Sequence, residues 1–179
     1  MSSKPQLVQK RECGECSACC IILNINQPDF KKNADTECSK MNPSGGCQIY
    51  SERPDVCRNW FCVWRYMEQF GKEWRPDQCG FILRWHNPGV IMQPIREPIE
   101  VLTSLQALQM VGMAIENGLP ISISVPTKIG FCNAIIQLHE KEFMHITRSP
   151  LRLKEEMQKR AEYASNAETD PDPEYIQLN

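Results

Sequence analysis

Eight cysteines fall between residues 13 and 62, and this cluster constrains the chain more than any other feature. Four of them open the run as Cys13-x-x-Cys16-x-x-Cys19-Cys20, followed by Cys38, Cys47, Cys57 and Cys62. Between them lie Pro, Asn and Gly residues rather than a periodic apolar pattern. NPSGGC, from Asn42 to Cys47, is a turn by composition. A stretch of this kind needs cross-links to stay ordered. Metal coordination or disulfides could supply them.

The stretch before the first cysteine, MSSKPQLVQKREC, has no apolar run of signal-peptide length. No later stretch approaches the roughly 18 apolar residues of a membrane span. The expected compartment is therefore cytoplasmic, where thiols stay reduced and clustered cysteines bind metal more often than they form disulfides. The formal net charge of -2 gives no global attraction to nucleic acid or to an anionic membrane. Neither is expected as a partner. A basic surplus lies within residues 1–65 and an acidic one beyond, and thiolates loaded with divalent metal would cancel the first.

The 179 residues suit one ordinary domain with an appended lobe. Residues 1–12 are polar and expected to be mobile. Residues 13–65 form the cysteine-rich region, and 66–163 an α+β region packed with it. Residues 164–179, including ETDPDPE, read as a disordered acidic tail. Arg53-Pro54 marks a helix start, with a helix carrying Cys57 through to Phe70. On such a helix Cys57 and Cys62 would lie about 140° apart, too far around to share one metal easily. Gly80 to His86 and Gly89 to Ile95 read as a hairpin around Asn87-Pro88-Gly89. Leu105, Leu108, Val111, Gly112 and Ile115 form a helical stripe that stops at Asn117-Gly118. Ile121 to Pro126 reads as a strand. Leu151 to Tyr163 reads as a helix capped by Ser149-Pro150. The expected fold class is α+β: an irregular cysteine-rich metal-binding lobe followed by a small mixed helix and strand region.

An all-sulfur donor set is soft and selects zinc, iron–sulfur clusters or Cu(I). A zinc ribbon shows two CxxC pairs, and only the first half of this cluster has that spacing. The CxxCxxC loop matches the wrap of a cubane cluster with a distant fourth ligand. Adjacent Cys19 and Cys20 diverge on an extended chain. They reach two ions, or one binds while the other packs or donates S–H to a neighbouring sulfur. Eight cysteines make two four-sulfur sites by count, with one site and four spare thiols as the alternative.

Together CGECSACC, Cys38 and GGCQIYSERPDVCRNWFC resemble the CxxCxxCC zinc- or iron-chelating cysteine-cluster family. The resemblance covers roughly residues 13–62 and includes Tyr50, Arg53-Pro54 and Arg58. It implies a metal-ligand set of Cys13, Cys16, Cys19, Cys20, Cys38, Cys47, Cys57 and Cys62, with zinc or an iron–sulfur cluster as cofactor. Trp60-Phe61 stands where the family pattern has Phe-Pro. Without that Pro a helix is expected to run through Cys62, which makes Cys62 the weakest ligand of the set. A related cysteine motif in flagellin lysine methylases implies an enzymatic option.

Outside the cluster, Arg53 and Arg58 are candidates to hydrogen-bond ligand sulfurs or nearby carbonyls, or else surface arginines. Tyr50, Trp60 and Trp64 are candidates to cover the site, or to pack in an ordinary core. Cys79 is a buried thiol or a ninth ligand, and Cys132 an inert core residue. His86, His139 and His145 lie outside the cluster. There is no Gly-rich phosphate loop, HExxH or GxSxG motif. Three roles follow for a metalloprotein of this kind. They are a structural module whose 80–160 region meets a protein partner, an iron–sulfur redox or methyl-transfer enzyme, and a metal buffer or delivery protein.

Overall fold

A computed structural model describes residues 6–125 and 135–166. Its centre is a four-stranded sheet of β3 (Phe81–His86), β4 (Gly89–Pro94), β5 (Ile121–Ser124) and β6 (Ile135–Leu138), in that spatial order. The expected hairpin forms, with β3 antiparallel to β4 and Leu83 opposite Met92. Every residue of β4 is buried, which places this strand inside the sheet with both faces covered. β5 runs parallel to β4, with Met92 opposite Ile123. A parallel neighbour requires a crossover. Here it carries α4 (Pro98–Leu102) and α5 (Leu105–Glu116). β6 closes the order antiparallel to β5.

The α5 stripe buries Leu108, Val111 and Ile115 as its periodicity requires, but Leu105 is 71% exposed. Leu105 is the first residue of the helix, after Ser104, whose hydroxyl caps the Ala107 amide. A first-turn position of this kind overhangs the core rather than facing it. Ser149 precedes α7 (Pro150–Ser165) without a side-chain cap bond, and Pro150 supplies the fixed helical φ instead. α7 packs against α4, α5 and β5. Its stripe of Leu153, Met157, Ala161 and Ala164 is buried. The short helix α6 (Glu140–Phe143) places Phe143 fully inside, within an otherwise charged segment.

The expected long helix from Arg53 is cut short. α2 spans only Asp55–Asn59, and Trp60 turns to extended backbone. A single 3-10 turn at Val63–Arg65 follows, with Cys62 extended before it. Cys62 is therefore on a loop, not a helix, and Phe61 does not extend α2 through it. The cysteine lobe also holds α1 (Ala18–Ile22) and a short ribbon of β1 (Ile25–Asn26) with β2 (Lys31–Lys32). α3 (Pro76–Cys79) leads into β3. Buried residues run unbroken from Ala18 and Val63 in the lobe through the sheet to Ala164 in α7. Helices, strands and the cysteine-rich region together make an α+β fold. The segment with Cys132, the end of the Ile121 to Pro126 strand reading, and the acidic ETDPDPE tail lie outside the described residues. Among the described residues no helix is long and apolar enough to cross a membrane.

A candidate metal centre

All eight clustered cysteines line one cavity of about 80 Å³. Single-water sites need about 10–15 Å³, so the space exceeds that of one water several times over. The other walls are mainly apolar, from Leu23, Ile25 and Phe30 to Trp60, Phe61 and Trp64. Ile82 of β3 reaches the same cavity, so the sheet and the cysteine lobe share this wall.

Backbone hydrogen bonds explain how distant cysteines meet. The Cys38 amide donates to the Cys20 carbonyl at 2.9 Å, and the Met41 amide to the Cys38 carbonyl at 2.9 Å. Met41 then bridges Cys47. At the other end of the lobe, the Val8 amide donates to the Arg65 carbonyl at 2.9 Å. Arg11 donates to the carbonyls of Trp64, Met67 (2.9 Å) and Phe70 (2.6 Å). These contacts lay residues 8–11 along residues 64–70 and bring Cys13 beside Arg65, three residues after Cys62. Nothing in the N-terminal sequence signals them, because the Val8 amide and the Arg11 side chain make them to carbonyls more than fifty residues away.

The Gly45-Gly46 turn joins the two parts. Gly45 and Gly46 have φ of +97° and +82°, where a side chain is strained. A Cβ on Gly45 would stand 2.5 Å from the Glu15 carbonyl oxygen, and one on Gly46 2.8 Å from that of Gly14. The Gly46 amide donates to Ser17 Oγ at 2.7 Å. Glycine is needed here because two backbones touch.

Several sulfurs accept backbone amides that follow them in sequence. The Lys40 amide donates to Cys38 Sγ at 3.4 Å. Cys16 receives the Ala18 amide, Cys47 that of Ile49 and Cys62 that of Trp64, while the Arg65 amide donates to the Cys62 carbonyl at 3.0 Å. Donors aimed at sulfur stabilise the thiolate, the form that binds metal. Burial works the other way on the metal-free thiols. It pushes Cys16 and Cys57 up to about 11 and Cys62 to about 12. Cys19 and Cys20 lie on the same helical turn rather than on extended chain. They share a thiol–thiol hydrogen bond that holds Cys19 protonated and brings Cys20 down to about 7. A hydrogen bond from the Cys16 thiol also reaches Asp77, whose carboxylate Arg75 grips at 2.7 and 2.8 Å.

Two buried cations stand in the wall. Lys32 Nζ donates to the carbonyls of Ile21 (2.7 Å), Leu23 (2.8 Å) and Asn33 (2.8 Å). Burial lowers its affinity for a proton, while charge on Cys38, Asp35, Cys20 and Cys19 raises it. Arg65 Nη1 points at Cys13 Sγ from 3.7 Å, and its guanidinium lies 5.1 Å from the Phe61 ring centre. Its Nε is buried with no hydrogen-bond partner. Sequence reasoning missed both residues, since Lys and Arg read as surface until the fold buries them.

Of the residues that were singled out, Arg53 lines the cavity and lies 3.8 Å over the Tyr50 ring. Tyr50 is 38% exposed rather than a core residue. Arg58 pairs with Asp55 on the surface and does not reach the cavity. Cys79 is buried outside it, where its thiol donates to the Phe81 carbonyl at 3.2 Å. His86, His139 and His145 are exposed and away from the cavity. Among the described residues, no three Cys, His, Asp or Glu side chains stand close enough in this conformation to hold one metal ion. The donor set still fits a soft metal in type: eight sulfurs, amides aimed at several of them, two buried cations, and the unpaired Arg65 Nε. No protein-family model, curated protein or solved structure matches the chain.

Proposed function

We propose that this chain is a metalloprotein whose cysteine lobe binds zinc or an iron–sulfur cluster. The observation that carries this reading is the gathering of all eight cysteines, and of neither Cys79 nor a histidine, on one cavity. A solely apolar purpose would not need eight thiols with amides turned toward them. The resemblance to the CxxCxxCC family points the same way. Cys13, Cys16, Cys19, Cys20, Cys38, Cys47, Cys57 and Cys62 would hold the metal. Bound there, it would cross-link a lobe whose regular elements are no longer than five residues, and its binding free energy would be folding free energy.

An all-sulfur set closes the coordination sphere, which suits a structural centre rather than hydrolytic zinc with an open position. The role is therefore a metal-braced structural or interaction module in the cytoplasm, where the thiols stay reduced. An iron–sulfur redox or methyl-transfer centre is the second reading, favoured by the apolar wall that would shield a cluster from solvent. Element analysis and colour of protein purified without oxygen test both readings. Colourless protein with stoichiometric zinc ends the iron reading, and brown protein with iron and sulfide ends the zinc one. Less than about half an equivalent of any transition metal, with the fold intact, ends both.

A further inference from the structure

Building on the metal-binding reading, we infer that the eight cysteines form two separate four-sulfur centres. One is Cys13, Cys16, Cys19 and Cys62 beside Arg65; the other is Cys20, Cys38, Cys47 and Cys57 beside Lys32. The backbone sorts them. Arg65 links Cys13 and Cys62, its Nη1 standing 3.7 Å from Cys13 Sγ and its amide donating to the Cys62 carbonyl at 3.0 Å, and the Cys16 amide donates to the Cys13 carbonyl at 3.1 Å. Cys20, Cys38 and Cys47 are linked by the hydrogen bond from the Cys38 amide to the Cys20 carbonyl, that from the Met41 amide to the Cys38 carbonyl, and the Met41–Cys47 bridge.

The electrostatic neighbours agree. Charge on Cys13 and Cys16 is felt at Cys62 and at Cys19. Charge on Cys20, Cys38 and Cys47 is felt at Cys57. Cys19 and Cys20 are the one junction, coupled to each other as neighbours on α1. Each set also has a buried cation beside it: Arg65 at Cys13, and Lys32, which feels Cys38 and Cys20 and, across the α1 junction, Cys19. A divalent ion with four thiolates carries two net negative charges, and a fixed cation beside it offsets part of the cost of burial. Cys57 and Cys62 fall in different sets, which removes the need for them to converge across the break after α2.

Titration of the reduced, metal-stripped full chain with Co(II) alone tests this, read by the thiolate charge-transfer and tetrahedral ligand-field bands. Wild type is expected to saturate at two equivalents. The paired variants Cys13→Ser with Cys62→Ser, and Cys47→Ser with Cys57→Ser, should each keep half the tetrathiolate absorbance. Cys57→Ser with Cys62→Ser, which takes one ligand from each set, should keep none. Saturation of wild type at one equivalent overturns the division while leaving metal binding intact. So does retention of half the signal in the cross-set pair with its loss in the paired variants. No Co(II) absorbance in folded wild type overturns the metal reading itself. Wild-type stoichiometry needs no variant to fold. Arg65→Gln adds an independent readout: it should weaken one of two binding steps by about 10–100-fold. Weakening of neither step, or of both equally, contradicts the division.

Discussion

Arg65 Nη1 stands 3.7 Å from Cys13 Sγ, a separation of 52 positions along the chain. This contact ties the first cysteine to the turn that follows the last. Arg65 is only 8% exposed, so its charge is used inside the protein. An Arg65→Met variant removes the donor and keeps much of the volume. It should lower the affinity of the Cys13 centre by about 10–100-fold, the usual scale for partners of metal ligands. Chelator competition checks this, and unchanged affinity would make Arg65 a packing residue only.

Lys32 is the corresponding cation at the other end. Its ammonium has three protons and three backbone carbonyls to receive them. Lys32→Met leaves those carbonyls without donors. The metal-free protein should lose about 1–3 kcal/mol per carbonyl left unsatisfied, less whatever water recovers. Urea unfolding measures it. A midpoint equal to wild type would mean the carbonyls find other donors.

The Gly45 turn gives a backbone test. Gly45→Ala would press a methyl against the Glu15 carbonyl oxygen at φ +97°. The expected loss is about 1–3 kcal/mol, with faster hydrogen exchange at residues 13–17 and 45–47. Phe143→Ala, in the sheet core, should cost about 3–5 kcal/mol yet leave metal stoichiometry alone. If Phe143→Ala strips metal and Gly45→Ala does not, the cavity is not held as described.

Metal binding should be pH-dependent. Burial keeps protons on Cys16, Cys57 and Cys62, raised from about 9 to about 11, 11 and 12. Metal must displace those protons, so affinity rises with pH and protons are released. Titration calorimetry in buffers of different ionisation enthalpy counts them. The metal-free fold follows the same sign. Apart from Cys20, whose lowering to about 7 acts with the opposite sign below pH 9, these thiols hold protons more tightly than those of the unfolded chain. Their contribution is complete below about pH 9 and is lost as pH rises toward 11 and 12. Rising stability of the metal-free protein over that window would contradict these environments.

The parts of the fold legible in the sequence were those with local signals. The hairpin was announced by Asn87-Pro88-Gly89 between apolar runs, and α5 by the spacing of Leu108, Val111 and Ile115. Strand β6 was missed because Ile135–Leu138 has one buried residue of four and so no clean alternation. The end of α2 at Trp60 was also missed, since no Gly or Pro marks it. The cysteines announced themselves by type and spacing. Their proposed division did not, because it depends on contacts that Val8, Arg11 and Arg65 make across more than fifty residues. Arg11, Lys32 and Arg65 were invisible for the same reason: a cation is buried only where the fold supplies carbonyls, an aromatic ring or sulfur to meet it.

X-ray absorption at the metal edge of protein isolated without oxygen tests the central claim most directly. The account predicts bound zinc or iron with a first shell of sulfur alone, at about 2.3 Å for zinc. Nitrogen or oxygen in that shell, or a folded protein with no metal to observe, would contradict it.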